Sequence, residues 1–117
     1  MLQASNTTMA YPRSDEFEDR LLELSAASRA LGHPGRLALL ELLAARNTCT
    51  CGELVHELPL SQATVSQHLK VLQEAGLIQG TIQGPRSCYC LDRDALLRLG
   101  RAFESWFRAL EEIESCC

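Results

Sequence analysis

The stretch that decides the fold is Leu60-Ser61-Gln62-Ala63-Thr64-Val65-Ser66-Gln67-His68-Leu69-Lys70-Val71-Leu72, continued by Glu74-Ala75-Gly76-Leu77-Ile78. Ser61 is a strong helix N-cap, and Gly76 suits the C-cap position, so the spacing predicts a helix from Gln62 to about Ala75. Val65, Leu69 and Leu72 step by 4 and 3 and form one apolar stripe that must face a core. The opposite side carries Gln62, Ala63, Ser66, Gln67 and Lys70, with no carboxylate before Glu74. An ordinary solvated helix face carries several Glu and Lys residues. Short uncharged hydrogen-bonders with one cation instead suit the donors, acceptors and phosphates of a DNA major groove.

Working outward, Leu77 to Gln83 and Arg86 to Leu91 read as two short strands, with Gly84-Pro85 as the hairpin tip. Asp92 caps a last helix running to about Ile113. On it Leu96, Leu99, Phe103, Trp106, Leu110 and Ile113 step 3, 4, 3, 4, 3, a heptad seam. Upstream, Pro59-Leu60 makes a turn after a short helix from Gly52 to Leu58, and Thr48-Cys49-Thr50-Cys51 alternates like a short strand. A helix from Pro34 carries Leu37, Leu39, Leu40, Leu43 and Ala44. Gly32-His33-Pro34 separates it from an amphipathic helix beginning at Asp15, striped by Phe17, Leu21, Leu24 and Leu31. Residues 1–14 read as a flexible arm, 15–113 as one domain, and 114–117 as a cysteine-bearing tail. The expected fold is mainly α with a small β-wing: a winged helix-turn-helix.

Composition agrees. The 117 residues are 46% hydrophobic, 22% charged and 5% aromatic, enough for one small domain. The apolar runs are too short to span a membrane and the N-terminus lacks a secretory h-region, so a cytoplasmic protein without membrane association is expected. Net charge is −4, which argues against indiscriminate nucleic-acid affinity. Its distribution is uneven: −3 over residues 1–60, +1 over 61–90 and −2 over 91–117. The segment with the polar helix face has been relieved of negative charge.

The sequence quoted above resembles the DNA-binding core of the arsenic-repressor (ArsR/SmtB) family, and Ala30-Leu31-Gly32-His33-Pro34, followed by Arg36-Leu37, resembles that family's entry into its second helix. The similarity extends over roughly residues 16–110. It implies a homodimeric repressor, dimerising through its first and last helices, whose affinity for double-stranded operator DNA is lowered by a metal or metalloid. The first and last apolar stripes agree with such a dimer. The expected DNA-contacting set is Ser61, Gln62, Ala63, Thr64, Ser66, Gln67, His68 and Lys70, with Arg86 on the wing; for His68 a structural role stands beside the DNA-side one.

The six cysteines fall in three pairs: Cys49 and Cys51, Cys88 and Cys90, and Cys116 and Cys117. Arsenic-sensing family members often carry C-x-C at the start of the helix that begins here near Gly52. Here Cys49-Thr50-Cys51 is out of phase by one residue, since on alignment through Leu54 the family's thiols fall at Thr50 and Gly52. Residues i and i+2 of a strand share a face, so each of the first two pairs presents its sulfurs together. In a winged helix the two strands are neighbours. A shared cluster of Cys49, Cys51, Cys88 and Cys90, independent packing as small buried hydrophobes, and a site using one pair all remain open. Cys116 and Cys117 are further candidate ligands. The last helix lacks the paired His and carboxylate set of zinc or nickel sensors, so trivalent arsenic or antimony is the expected effector, held by thiolates. A disulfide-forming redox switch is the alternative. No nucleophile, base and orienting group come together, so neither enzymatic activity nor a catalytic cofactor is expected.

Overall fold

The computed structural model describes residues 16–46, 57–83 and 86–113. Among these the chain forms α1 (Asp19–Leu31), α2 (Pro34–Arg46), α3 (Gln62–Glu74), β1 (Ile78–Gln83), β2 (Arg86–Leu91) and α4 (Arg93–Glu111). Mostly helical with a small antiparallel sheet, this is the winged helix-turn-helix order expected from the sequence. The expected arm, the Thr48–Cys51 strand, the hairpin tip, the tail and nearly all of the Gly52–Leu58 helix lie outside the described residues.

The helix ends follow from local chemistry. Pro34 opens α2, where its missing N–H costs no hydrogen bond. His33 caps that helix: its Nδ1 accepts from Gly35 N–H at 2.9 Å, and its carbonyl accepts from Arg36 and Leu37. Ser61 Oγ accepts from Thr64 N–H at 3.2 Å, and Asp92 Oδ1 accepts from Ala95 N–H at 3.0 Å. At the end of α3 the capping residue is Ala75, and Gly76 lies one position beyond the expected one, at φ +79°. That left-handed turn lets Gly76 N–H reach Gln73 O and Leu77 N–H reach Leu72 O, each at 3.0 Å, which closes the helix and launches β1.

α1 begins at Asp19 rather than Asp15, because Glu18 is extended and its carbonyl accepts from Leu21 and Leu22 N–H. Phe17, assigned to the stripe by its spacing, therefore precedes the helix and is exposed. α4 ends at Glu111, leaving Ile113 just past it. Of the residues that α2 carries, Leu39 and Leu43 are buried, whereas Leu37 and Ala44 are exposed.

The core joins α1, α2, α3 and the wing. Leu39 and Leu72 are completely buried, with Ala30, Leu43, Val65, Leu69, Leu77 and Ile78 around them. Each buried leucine contributes on the order of 2 kcal/mol by leaving water. The wing pairs Ile78 with Leu91, Gln79 with Cys90, Gly80 with Tyr89 and Thr81 with Cys88. Ile78, Tyr89 and Leu91 meet the core, so Cys88 and Cys90 occupy the opposite face. Asp92 N–H donates to Leu77 O at 3.0 Å and Gln79 Nε2 donates to Asp92 Oδ2 at 3.3 Å, tying the wing to the start of α4.

Candidate DNA-reading face and thiol site

The candidate recognition surface is built by α3. With Val65, Leu69 and Leu72 fixed in the core, the helical period turns Gln62, Ala63, Ser66, Gln67 and Lys70 outward, and all five are exposed. Ser61 is exposed as well, but its hydroxyl is engaged in capping and also donates to Thr64 Oγ1 at 3.0 Å. Thr64 is half-buried. The helix N-terminus, with its free N–H groups, carries the short polar side chains, an arrangement suited to phosphates and base edges. Arg86 opens β2 opposite Gln83, on the wing.

His68 departs from this set. Its side chain is only 5% exposed and faces the protein, so it is not part of the surface that Gln67 and Lys70 present. Position 68 lies three residues after Val65 and beside Leu69, on the flank of the buried stripe. The imidazole meets His33 with ring centroids 4.4 Å apart, and Arg36 Nη1 stands 3.2 Å from its Nδ1. Burial, reinforced by His33 and Arg36, holds its pKa below the ordinary 6.5. The contact of Arg36 with His68 had no signal in the sequence beyond the place of Arg36 after Gly32-His33-Pro34.

The thiol residues divide. Cys88 and Cys90 are half-buried on the wing's outer face, and both are disulfide-bonded. Cys49, Cys51, Cys116 and Cys117 lie outside the described residues. Among the described residues no group of three or more His, Cys, Asp or Glu side chains could hold a metal ion. In the disulfide form Cys88 and Cys90 offer no thiolates, so a thiophilic ion would fit them only after reduction.

The most amphipathic helix is α4, yet none of its residues is buried. Leu96, Leu99, Phe103 and Trp106 are half-buried, while Leu97, Phe107, Leu110 and the adjoining Ile113 are exposed. Leu21 and Leu24 of α1 and Phe103 and Trp106 of α4 line an apolar groove of about 200 Å³. The Trp106 ring meets Phe107 edge-on at 5.0 Å. No described helix is long and apolar enough to cross a membrane.

A polar helix held on a three-helix core beside a β-wing defines a winged-helix DNA-binding regulator. Residues 33–79 match the model of the bacterial regulatory proteins of the arsR family. The chain is 37% identical over 95 residues to the biofilm growth-associated repressor of Agrobacterium fabrum, covering 81% of this chain and 80% of that one. It is 34% identical over 74 residues to the arsenical resistance operon repressor of Staphylococcus xylosus, covering 63% and 70%. Among solved structures, an ArsR-like transcriptional regulator from Rhodococcus sp. RHA1 superimposes with a TM-score of 0.64 at 26% identity, covering 78% of this chain and 89% of that one. The chain belongs to the ArsR/SmtB family of transcriptional repressors, and its fold and relatives are those of DNA-binding regulators rather than enzymes.

Proposed function

We propose that this chain is a cytoplasmic homodimeric repressor that reads operator DNA through Ser61, Gln62, Ala63, Thr64, Ser66, Gln67, Lys70 and the wing residue Arg86, and that its DNA affinity is set by the oxidation state of Cys88 and Cys90 with Cys49 and Cys51. The carrying observation is that both wing cysteines are disulfide-bonded while sitting on the strand that presents the wing. A bond between Cys88 and Cys90 themselves would span a two-residue strand repeat of about 6.6 Å, at the outer limit of disulfide geometry. Paired strands lie only about 4.8 Å apart, so the short strand that the sequence predicts at Cys49 and Cys51 supports those cysteines as the partners. Disulfides inside a reducing compartment are usually transient sensors rather than staples.

The switching chemistry is thiol–disulfide exchange. A thiolate attacks a low-molecular-weight disulfide, a mixed disulfide forms, and the second protein thiolate displaces the remaining thiol. Two protein thiols lose two electrons and two protons in all, and the small disulfide becomes two thiols. Closing these bridges fixes the wing against the segment that leads into the helix-turn-helix, changing the angle at which α3 and the wing meet DNA.

The second reading is release by trivalent arsenic or antimony. It is favoured by the side-by-side placement of Cys88 and Cys90 on one strand face, and it needs the reduced protein. Cys116 and Cys117 stand as less favoured ligands. One experiment separates the two: operator affinity of the reduced protein, of the protein oxidised with glutathione disulfide, and of the reduced protein with arsenite. Weakening by oxidation alone supports the redox switch. Weakening by arsenite alone supports the metalloid sensor, and no change in either arm rejects both.

A further inference from the structure

We infer that Arg36 and His68 are positioning residues for DNA reading: the guanidinium that closes the end of α1 also holds the imidazole of α3, registering the recognition helix on the α1–α2 corner. The inference rests on the proposed base-reading role of the exposed α3 face. α1 ends with carbonyls that have no partner within the helix. Arg36, from the first turn of α2, reaches back to two of them: Nε donates to Ala30 O at 2.6 Å and Nη2 donates to Arg29 O at 3.2 Å. With those contacts made, the rigid plane of the guanidinium is fixed, and its Nη1 is delivered to His68 Nδ1 at 3.2 Å. One side chain thereby joins three helices.

The contact also determines the state of the imidazole. An arginine N–H only donates, so Nδ1 of His68 accepts and the proton sits on Nε2. Nε2 is buried and has no hydrogen-bond partner among the described residues. A buried unpaired donor is costly and rare, so the ring is held here by geometry rather than by satisfaction of both nitrogens. The pocket is tight: a Cβ at Gly35 would stand 2.9 Å from Nε2 and 3.0 Å from Leu60 Cδ1. Among the described residues, the titratable and charged groups acting on the ring are His33 from the corner and Arg36 from α2. Protonation at Nδ1 would set two donors and two positive charges against each other and break the link.

His68 precedes Leu69 and follows Gln67, so a shift of its ring tilts the face that carries Ser66, Gln67 and Lys70. A group with this role affects discrimination among DNA sequences more than folding. The test uses a duplex selected from a random pool by the wild-type protein, a random duplex, and the variants His68→Gln, His68→Leu and Arg36→Lys. Gln supplies an acceptor and a donor, so His68→Gln keeps the selected-to-random affinity ratio within about twofold. Leu fills the space without an acceptor, and Lys lacks the fork, so each lowers that ratio by about tenfold. Nitrogen spectra of the labelled imidazole supply a second measurement that needs no DNA. They give the neutral Nε2–H form in the wild type and a mixture of tautomers in Arg36→Lys. A His68→Leu protein that retains the full ratio, or a wild-type imidazole protonated on Nδ1, overturns the assignment. If His68→Leu fails to fold, His68→Gln and the spectra decide. Equal wild-type affinity for both duplexes overturns base reading itself, and the spectra then report separately on the Arg36–His68 link.

Discussion

The ring of Tyr89 lies directly over Gly80, its partner across the wing, so closely that a Cβ at Gly80 would meet Tyr89 Cε1 at 2.7 Å. The missing side chain lets an aromatic ring cover the strand, and Tyr89 and Leu91 thereby face the core while Cys88 and Cys90 face away. Gly80→Ala should therefore displace the ring, at an overpacking cost of about 1–3 kcal/mol. Thermal unfolding checks this: the expected loss is about 4–8 °C for each kcal/mol. An unchanged midpoint would show that the ring relocates freely.

DNA reading divides into two kinds of contact. Gln62→Ala or Ser66→Ala removes a side chain able to pair with a base edge, and should weaken preferred-site binding more than random-site binding. Lys70→Ala removes the exposed charge proposed to face phosphate. It should weaken both and reduce the slope of log affinity against log salt by about 1. Titrations on both duplexes over a range of salt concentrations measure these effects. Equal losses on both duplexes for Gln62→Ala and Ser66→Ala would remove them from base reading.

Much of this was legible in the residues. The stripe of Val65, Leu69 and Leu72 fixed α3 and its exposed face, because one period accounts for both. The caps Ser61 and Asp92 marked helix starts through hydroxyl and carboxylate chemistry that acts within a single turn. The link between His68 and Arg36 was not legible, because Arg36 lies 32 positions away and is held by the carbonyls of another helix. The wing's facing was also undecided. Alternation paired Cys88 with Cys90 and Tyr89 with Leu91, but only packing against Gly80 and the core selects which pair turns inward.

The depressed pKa of His68 gives a pH dependence of stability. The folded protein keeps the ring neutral below the ordinary value of 6.5, whereas the unfolded chain takes up the proton there. The unfolded state then binds more protons, so stability falls as pH drops below 6.5 toward the folded pKa. Above 6.5 this contribution is fully present. Denaturant unfolding across this range should show the decline in wild type and a shallower one in His68→Gln. Identical profiles would assign the pH dependence to other groups.

Assembly should depend on the α4 seam. Trp106 lines the groove with Leu21 and Leu24 and touches Phe107, on a helix with no buried residue in the single chain. In a dimer joined through α1 and α4 that face leaves water. Trp106→Glu would then bury an unpaired charge, at a cost of several kcal/mol. Sedimentation should show a monomer or a destabilised chain, with operator affinity lost because two half-sites are no longer linked. A stable monomer with full operator affinity would contradict a dimeric reader.

The wing cysteines provide the last prediction. Cys88 and Cys90 are both disulfide-bonded, and neither lies in the core, so serine at either position removes a sulfur without opening a buried cavity. The reduced Cys88→Ser protein should bind operator DNA like reduced wild type, because Gln62, Ser66 and Lys70 are untouched. On oxidation with glutathione disulfide, wild type should lose affinity and Cys88→Ser should lose less. Cys49→Ser should behave like Cys88→Ser if the two sulfurs share one bridge, and peptide mapping of the oxidised protein identifies the bridge directly. The reaction consumes thiolates, so its rate should rise with pH toward the thiol pKa. Replacing Cys116 and Cys117 together should leave the oxidative response in place. If that double replacement abolishes the response while Cys49→Ser and Cys88→Ser retain it, the sensing thiols are those of the tail and the wing assignment is wrong.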